Sequence, residues 1–77
     1  MYFIQPKFAV IAEKTTGYVG DVVFDTLEAA LAHANYEWNE MTERERRGHR
    51  RYVIMKGLLD ECDCFNTQLA EVVRRYR

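Results

Sequence analysis

Hydrophobic residues between positions 27 and 41 recur at intervals of three and four. This spacing places them on one stripe of a helix with 3.6 residues per turn. Asp25 and Glu28 form a capping-box-like start, and Thr42 with Glu45 forms a second one. The pattern therefore predicts a long amphipathic helix that breaks near residue 41 and restarts as a short turn ending at Gly48. The stripe consists of Leu27, Ala30, Leu31, Ala34, Trp38 and Met41.

Three other segments alternate between apolar and polar positions, as strands do. Residues 7–14 and 18–24 are separated by Thr15-Thr16-Gly17, a turn whose glycine allows a positive φ, so they predict a hairpin. Residues 51–59 predict a third strand. The apolar residues 1–5 precede Pro6, which cannot donate to a strand ladder, and are predicted to be a lead-in or edge segment.

The C-terminal segment predicts a last helix. Asn66 or Thr67 is a suitable N-cap, and the apolar residues that follow fall at i, i+3, i+4 and i+7. The order is then β-β-α-β-α. Short connections favour a two-layer α+β domain over residues 1–77, with a three-stranded antiparallel sheet in the order 2-1-3 and one long helix on it. The apolar residues of this last segment are Leu69, Val72, Val73 and Tyr76.

This arrangement leaves two apolar sheet faces. The long helix is expected to cover the face formed by Phe8, Val10, Val22, Phe24, Val53 and Met55. The opposite face is expected to carry Ala9, Ile11, Val19, Val23, Ile54 and Leu58. Such a face is too apolar for open solvent, so either the last helix or a second protein chain covers it. We expect the last helix. If a partner covers the face instead, Ile11, Val23, Ile54 and Leu58 are its contacts.

Tyr36 is a further candidate for a partner contact. It lies about 180° around the helix from the apolar stripe, among small residues. An aromatic side chain in that position can anchor a partner. The alternative is a single exposed tyrosine, which is common and needs no functional explanation.

Charge divides the chain into two unequal halves. Residues 1–43 carry two lysines and seven acidic residues, whereas residues 44–77 carry nine basic and five acidic residues. The arginines between positions 44 and 51 are the natural candidates for binding phosphate or another polyanion. The alternative is a solvated helix end, because cations there are favoured by the helix dipole. The candidate residues are Arg44, Arg46, Arg47, Arg50 and Arg51.

Candidate chemistry is otherwise scarce. Cys62 and Cys64 form a C-x-C pair, and zinc requires two more ligands, for which only His33 and His49 are available besides carboxylates. The chain has no serine and no glycine-rich phosphate loop. We therefore expect a non-enzymatic protein without metal or cofactor. The absence of a long apolar run and of a disulfide framework indicates a cytoplasmic protein with no membrane segment.

Four short runs carry a resemblance to a known group. They are residues 24–30, 36–42, 45–47 and 57–61. Together they resemble small uncharacterised proteins encoded on phages and conjugative elements of anaerobic Firmicutes, over residues 22–61. The resemblance implies a small cytoplasmic accessory protein that acts on host or defence machinery. With the surfaces above, it predicts a module that binds a protein partner or a second copy of itself, with nucleic-acid binding through residues 44–51 as the alternative.

Overall fold

The computed structural model describes residues 5–77. Residues 1–4, most of the predicted lead-in segment, lie outside the described residues. Four strands and two helices follow one another, with a short 3-10 turn before the last strand. They are β1 (Lys7–Lys14), β2 (Val19–Phe24), α1 (Leu27–Glu40), α2 (Glu43–Arg47), β3 (His49–Gly57), the 3-10 turn (Thr67–Leu69) and β4 (Glu71–Arg75).

The strands form one antiparallel sheet in the order β2-β1-β3-β4. The predicted α+β class is therefore confirmed, and the predicted order 2-1-3 is present with a fourth strand added. The hairpin of β1 and β2 has the expected turn, in which Gly17 has φ +100°. A side chain at this backbone conformation would be strained, which is why glycine suits the turn.

The two helices begin and end close to their predicted positions. Thr26, rather than Asp25, is the N-cap of α1, and its hydroxyl accepts a hydrogen bond from the backbone N–H of Ala29. The helix ends at Glu40, and α2 starts with a complete capping box between Thr42 and Glu45. These hydrogen bonds hold the pKa of the Glu45 carboxyl below its usual value. The predicted break near residue 41 is confirmed.

The predicted last helix is wrong. Asn66 caps only the 3-10 turn, and residues 71–75 form β4, which pairs with β3. Two physical causes favour the strand. Val72 and Val73 are β-branched and suit a pleated backbone, and β3 would otherwise expose an unpaired edge.

The predicted assignment of β3 to the sheet faces is also wrong. Ile54 lies opposite Val10 in the register, so the two side chains share a face. That face is the one covered by α1, where Ile54 packs with Ala30 and Ala34. Val53 and Met55 consequently lie on the opposite face with Ile11. A shift of one residue in pairing exchanges every side chain of a strand between faces, and residue patterns do not fix that register.

The loop between β3 and β4 covers the second face. Phe65 is buried there against Ala9, Ile11, Val53 and Met55, and the partly buried Leu59, Ala70 and Val72 pack around this cluster. The loop approaches so closely that a Cβ on Gly57 would lie 2.8 Å from the Cβ of Ala70. The expected cover by a last helix is therefore replaced by cover from a loop. Neither helix of the described residues is long and apolar enough to cross a membrane.

Replacing Phe65 with Ala should destabilise the fold, because it removes the aromatic ring that the loop buries on the second face. We expect the free energy of unfolding to fall by about 3 kcal/mol, as for other buried aromatic side chains. Urea unfolding followed by circular dichroism measures this change. Leu69→Ala is the matched control in the same segment, since Leu69 is 85% exposed and its truncation should change stability by less than about 0.5 kcal/mol. Equal losses for the two variants would contradict the assigned role of Phe65.

Candidate functional site

The predicted partner contacts separate into buried and exposed residues. Ile11 and Ile54 are 3% and 0% exposed, so neither is available to a partner, and their prediction as contacts is corrected. Ile54 is under α1, and Ile11 is in the cluster under the loop. Tyr36 is exposed, and Val23 and Leu58, which were expected under the last helix, are exposed as well. The predicted contact face on the sheet therefore does not exist as one surface.

A different exposed apolar surface follows β2. This strand has β1 on one side and nothing on the other within residues 5–77, so it is a free sheet edge. Val19 and Val23 project to the face of the second cluster, and Val22 projects to the helix face opposite Val10. All three valines are exposed, as is Tyr18 just before the strand. We call these four residues, Tyr18, Val19, Val22 and Val23, the β2 edge. The strand pattern places these valines on covered sheet faces and therefore does not predict the edge.

A cleft of about 480 Å³ lies between the β2 edge and the last turns of α1. Tyr18 and Val22 line one wall, and Tyr36 lines the other. The predicted partner residue Tyr36, which is 69% exposed, therefore belongs to a concave surface together with the strand. The cleft is acidic on balance, since Glu37, Glu40 and Glu45 line it together with Lys14 and His49, whereas the side chain of Asp21, which is paired with Ile11, projects to the opposite face.

The floor of the cleft includes the buried ring of Tyr52. This ring packs against the rings of Trp38 and Tyr76, with centroids 5.3 and 5.4 Å away. Its hydroxyl has no hydrogen-bond partner among residues 5–77. Burial raises the pKa of the Tyr52 phenol far above its ordinary value, and the nearby Glu37 carboxylate and Tyr76 raise it further. The hydroxyl is thus neutral at physiological pH and free to donate one hydrogen bond.

The arginines of residues 44–51 do not form one patch. Arg46 donates from Nε to the Trp38 carbonyl at 3.0 Å, with its guanidinium 5.6 Å from the Trp38 ring. Arg47 forms an ion pair with Glu43 at 3.1 Å, and Arg50 forms one with Glu13 at 3.3 Å. Arg51 contacts the Met55 sulfur at 3.4 Å, on the sheet face away from α1. Only Arg44 has an exposed side chain and none of these contacts within the described residues. The arrangement does not favour these five as a single polyanion site.

The two cysteines lie in the loop that covers the second face. Asp60 accepts hydrogen bonds from the backbone N–H groups of Cys62 and Cys64, at 2.9 and 3.0 Å. Both cysteines are exposed and unbridged. Within residues 5–77, no three His, Cys, Asp or Glu side chains converge as metal ligands would. The carboxylate of Asp60 therefore shapes the turn that places Phe65.

Comparison of the chain with family models, curated proteins and solved structures gives no match.

Replacing Tyr52 with Phe should keep the ring packing and remove the unpartnered hydroxyl. We expect the free energy of unfolding at pH 7 to stay equal or to rise by up to about 1 kcal/mol, because a buried polar group without a partner is costly. The parent should lose stability above about pH 10, since the unfolded phenol releases its proton there while the folded one retains it. Tyr52→Phe should weaken this alkaline loss, although the raised pKa of Tyr76 preserves part of it.

Urea unfolding between about pH 7 and pH 11 tests both expectations. Tyr36→Phe is the control, because it removes an exposed hydroxyl of the same type. A clear loss of stability for Tyr52→Phe at pH 7 would show that its hydroxyl has a stabilising partner.

Proposed function

We propose that this chain is a non-enzymatic interaction module that binds a protein segment in extended conformation along the β2 edge. The observation that carries the proposal is the combination of a strand edge that is unpaired within residues 5–77 with exposed apolar side chains on both faces of the strand. An added strand would pair with the free backbone groups of β2, and its side chains would contact the valines. Affinity would come from the backbone and specificity from alternate side chains.

The other sheet edge supports the choice of β2. β4 is only five residues long, has a register shift against β3, and includes Glu71, Arg74 and Arg75. Short length, irregular pairing and charge are the usual protections of an edge strand against association. β2 pairs with β1 without a register shift and has only Asp21 as a charged residue. One edge is therefore protected and the other is open.

The cleft indicates the chemistry of the bound segment. Three carboxylates line it against Lys14 and His49, so a basic side chain of the partner is favoured. Tyr36 lines the same cleft and supplies aromatic surface for a cation, whereas the Tyr18 ring already has the Lys14 ammonium 5.7 Å from its centroid. We infer that the partner segment alternates apolar residues with at least one Lys or Arg. A second copy of this chain and a different protein are the two sources of such a segment.

The biological setting is part of the proposal. The resemblance over residues 22–61 supports an accessory protein of a phage or mobile element, and the two unbridged cysteines support a cytoplasmic location. An interaction module of this size suits such a role, because it needs one rigid edge and no catalytic constellation.

Replacing Val22 with Lys should weaken partner binding by at least about tenfold, because it places a charge in the centre of the β2 edge. The measurement uses extended peptides selected from a random display library on the immobilised protein, followed by titration of the best binder. Sedimentation over a range of protein concentrations tests the second copy as partner. If a second copy is the partner, the parent protein self-associates and the Val22→Lys variant is monomeric.

Val73→Lys is the matched control. Val73 is 41% exposed and Val22 45%, so the two substitutions cost the fold similar amounts, but Val73 lies on the protected edge. The control should bind like the parent. The proposal fails if no peptide is enriched and the parent stays monomeric, or if Val73→Lys weakens binding as much as Val22→Lys does.

A further inference from the structure

A second groove, of about 600 Å³, lies on the other flank of α1. The end of β4 and the residues after it form one wall, with Arg74, Arg75 and Arg77. Among the residues that the structure describes, no acidic side chain lines this groove. The three arginines are exposed, and within residues 5–77 none of them forms an ion pair with a carboxylate. The groove is therefore a concentrated and unneutralised positive surface on a chain whose net charge is −1.

The other lining groups of the groove are aromatic rings and amides. Trp38 and Tyr76 are partly buried, with ring centroids 5.7 Å apart. Asn35 and Asn39 lie one helical turn apart on α1 and present two amides to the same groove. The Tyr76 hydroxyl donates to the Asn35 side-chain oxygen at 2.5 Å, which fixes the position of the ring.

One of the positive charges is held next to these rings. The Arg74 guanidinium lies 5.0 Å from the centroid of the Tyr76 ring. Cation–π contacts of this kind orient a guanidinium while leaving its N–H groups available for a phosphate. A groove that combines guanidinium groups with aromatic surface has the features of a single-strand nucleic-acid site.

We propose that this groove binds single-stranded nucleic acid. Arg74, Arg75 and Arg77 supply the positive charge for the phosphates, the exposed parts of the Trp38 and Tyr76 rings contact bases, and the two asparagine amides bond to base edges. An acidic peptide is the less suitable ligand, because no aliphatic side chain among residues 5–77 lines the groove for its apolar residues. A duplex is also less suitable, since its stacked bases offer no free face to the rings. The site is separate from the β2 edge and from the arginines of residues 44–51.

Trp38 provides the measurement, because it is the only tryptophan in the chain. An oligothymidylate of about 12 nucleotides should quench its fluorescence on stacking. Affinity should fall with salt at a slope of about −2 in log–log form, as expected for three neutralised phosphates on a single strand. Arg75→Ala combined with Arg77→Ala should weaken binding about tenfold or more and reduce the slope by about 1.4.

The double variant should fold normally, because neither side chain makes an ion pair or hydrogen bond within the described residues. A thermal unfolding curve verifies this. Arg44→Ala combined with Arg47→Ala is the matched control, since it removes the same charge from α2 and should leave binding unchanged.

Three results would overturn the proposal. The first is an oligothymidylate that does not bind at low salt, or that binds without changing Trp38 fluorescence. The second is equal or tighter binding of a poly-glutamate peptide or of a duplex of the same length. The third is an equal loss of affinity in the α2 control, which would indicate that the nucleic acid binds at residues 44–51 instead.

Discussion

The burial of β3 on both of its faces is the constraint on which the rest of the structure depends. Tyr52, Val53, Ile54 and Met55 are four consecutive buried residues, and alternate members face opposite sides of the sheet. Both faces therefore need a cover, and both edges of β3 need a partner strand. The helix α1 covers one face and the loop after β3 covers the other, while β1 and β4 pair with the edges. A chain of this length buries only about 60–65% of the surface exposed on unfolding. Little of the chain is left to cover β2, which pairs with β1 and is separated from β3 by that strand.

The parts of the fold that residue patterns predict are those governed by local physics. The α1 stripe, the glycine turn after β1 and the Thr42–Glu45 capping box each depend on residues within a few positions of one another, and each is present. The wrong predictions concern non-local choices. The face of β3 depends on its register with β1, across an intervening helix pair. The C-terminal segment has apolar residues at helical spacing, but its two adjacent valines also suit a strand. The unpaired edge of β3 decides between the two, and that edge is a tertiary feature.

The same distinction explains the candidate sites. Five arginines that are close in sequence are distributed by α2 and β3 over different surfaces, and three of them are engaged by Trp38, Glu43 and Glu13. Proximity in sequence thus overstated their proximity in space. Distance in sequence, in turn, hides a proximity in space. Arg74, Arg75 and Arg77 lie near Asn35 and Trp38 only because β4 runs antiparallel beside β3. A helix over the same residues would have placed them elsewhere. Tyr36 was identified correctly as an exposed aromatic, but its neighbour across the cleft, Val22, had been assigned to the covered core.

The two flanks of α1 carry opposite charges, and this limits how the molecule can bind. The acidic cleft and the basic groove share no lining residue, so occupation of one does not block the other. They are joined underneath by packed rings, with Tyr52 on the cleft side, Tyr76 on the groove side and Trp38 in contact with both. The carboxylates of the cleft repel a nucleic-acid strand from the β2 edge, and the arginines of the groove repel a basic peptide. Under the two proposals, each ligand is therefore directed to its own flank. The proposed basic protein segment and the proposed single strand would then be held together on one helix, which neither a uniformly basic nor a uniformly acidic surface of this size would allow.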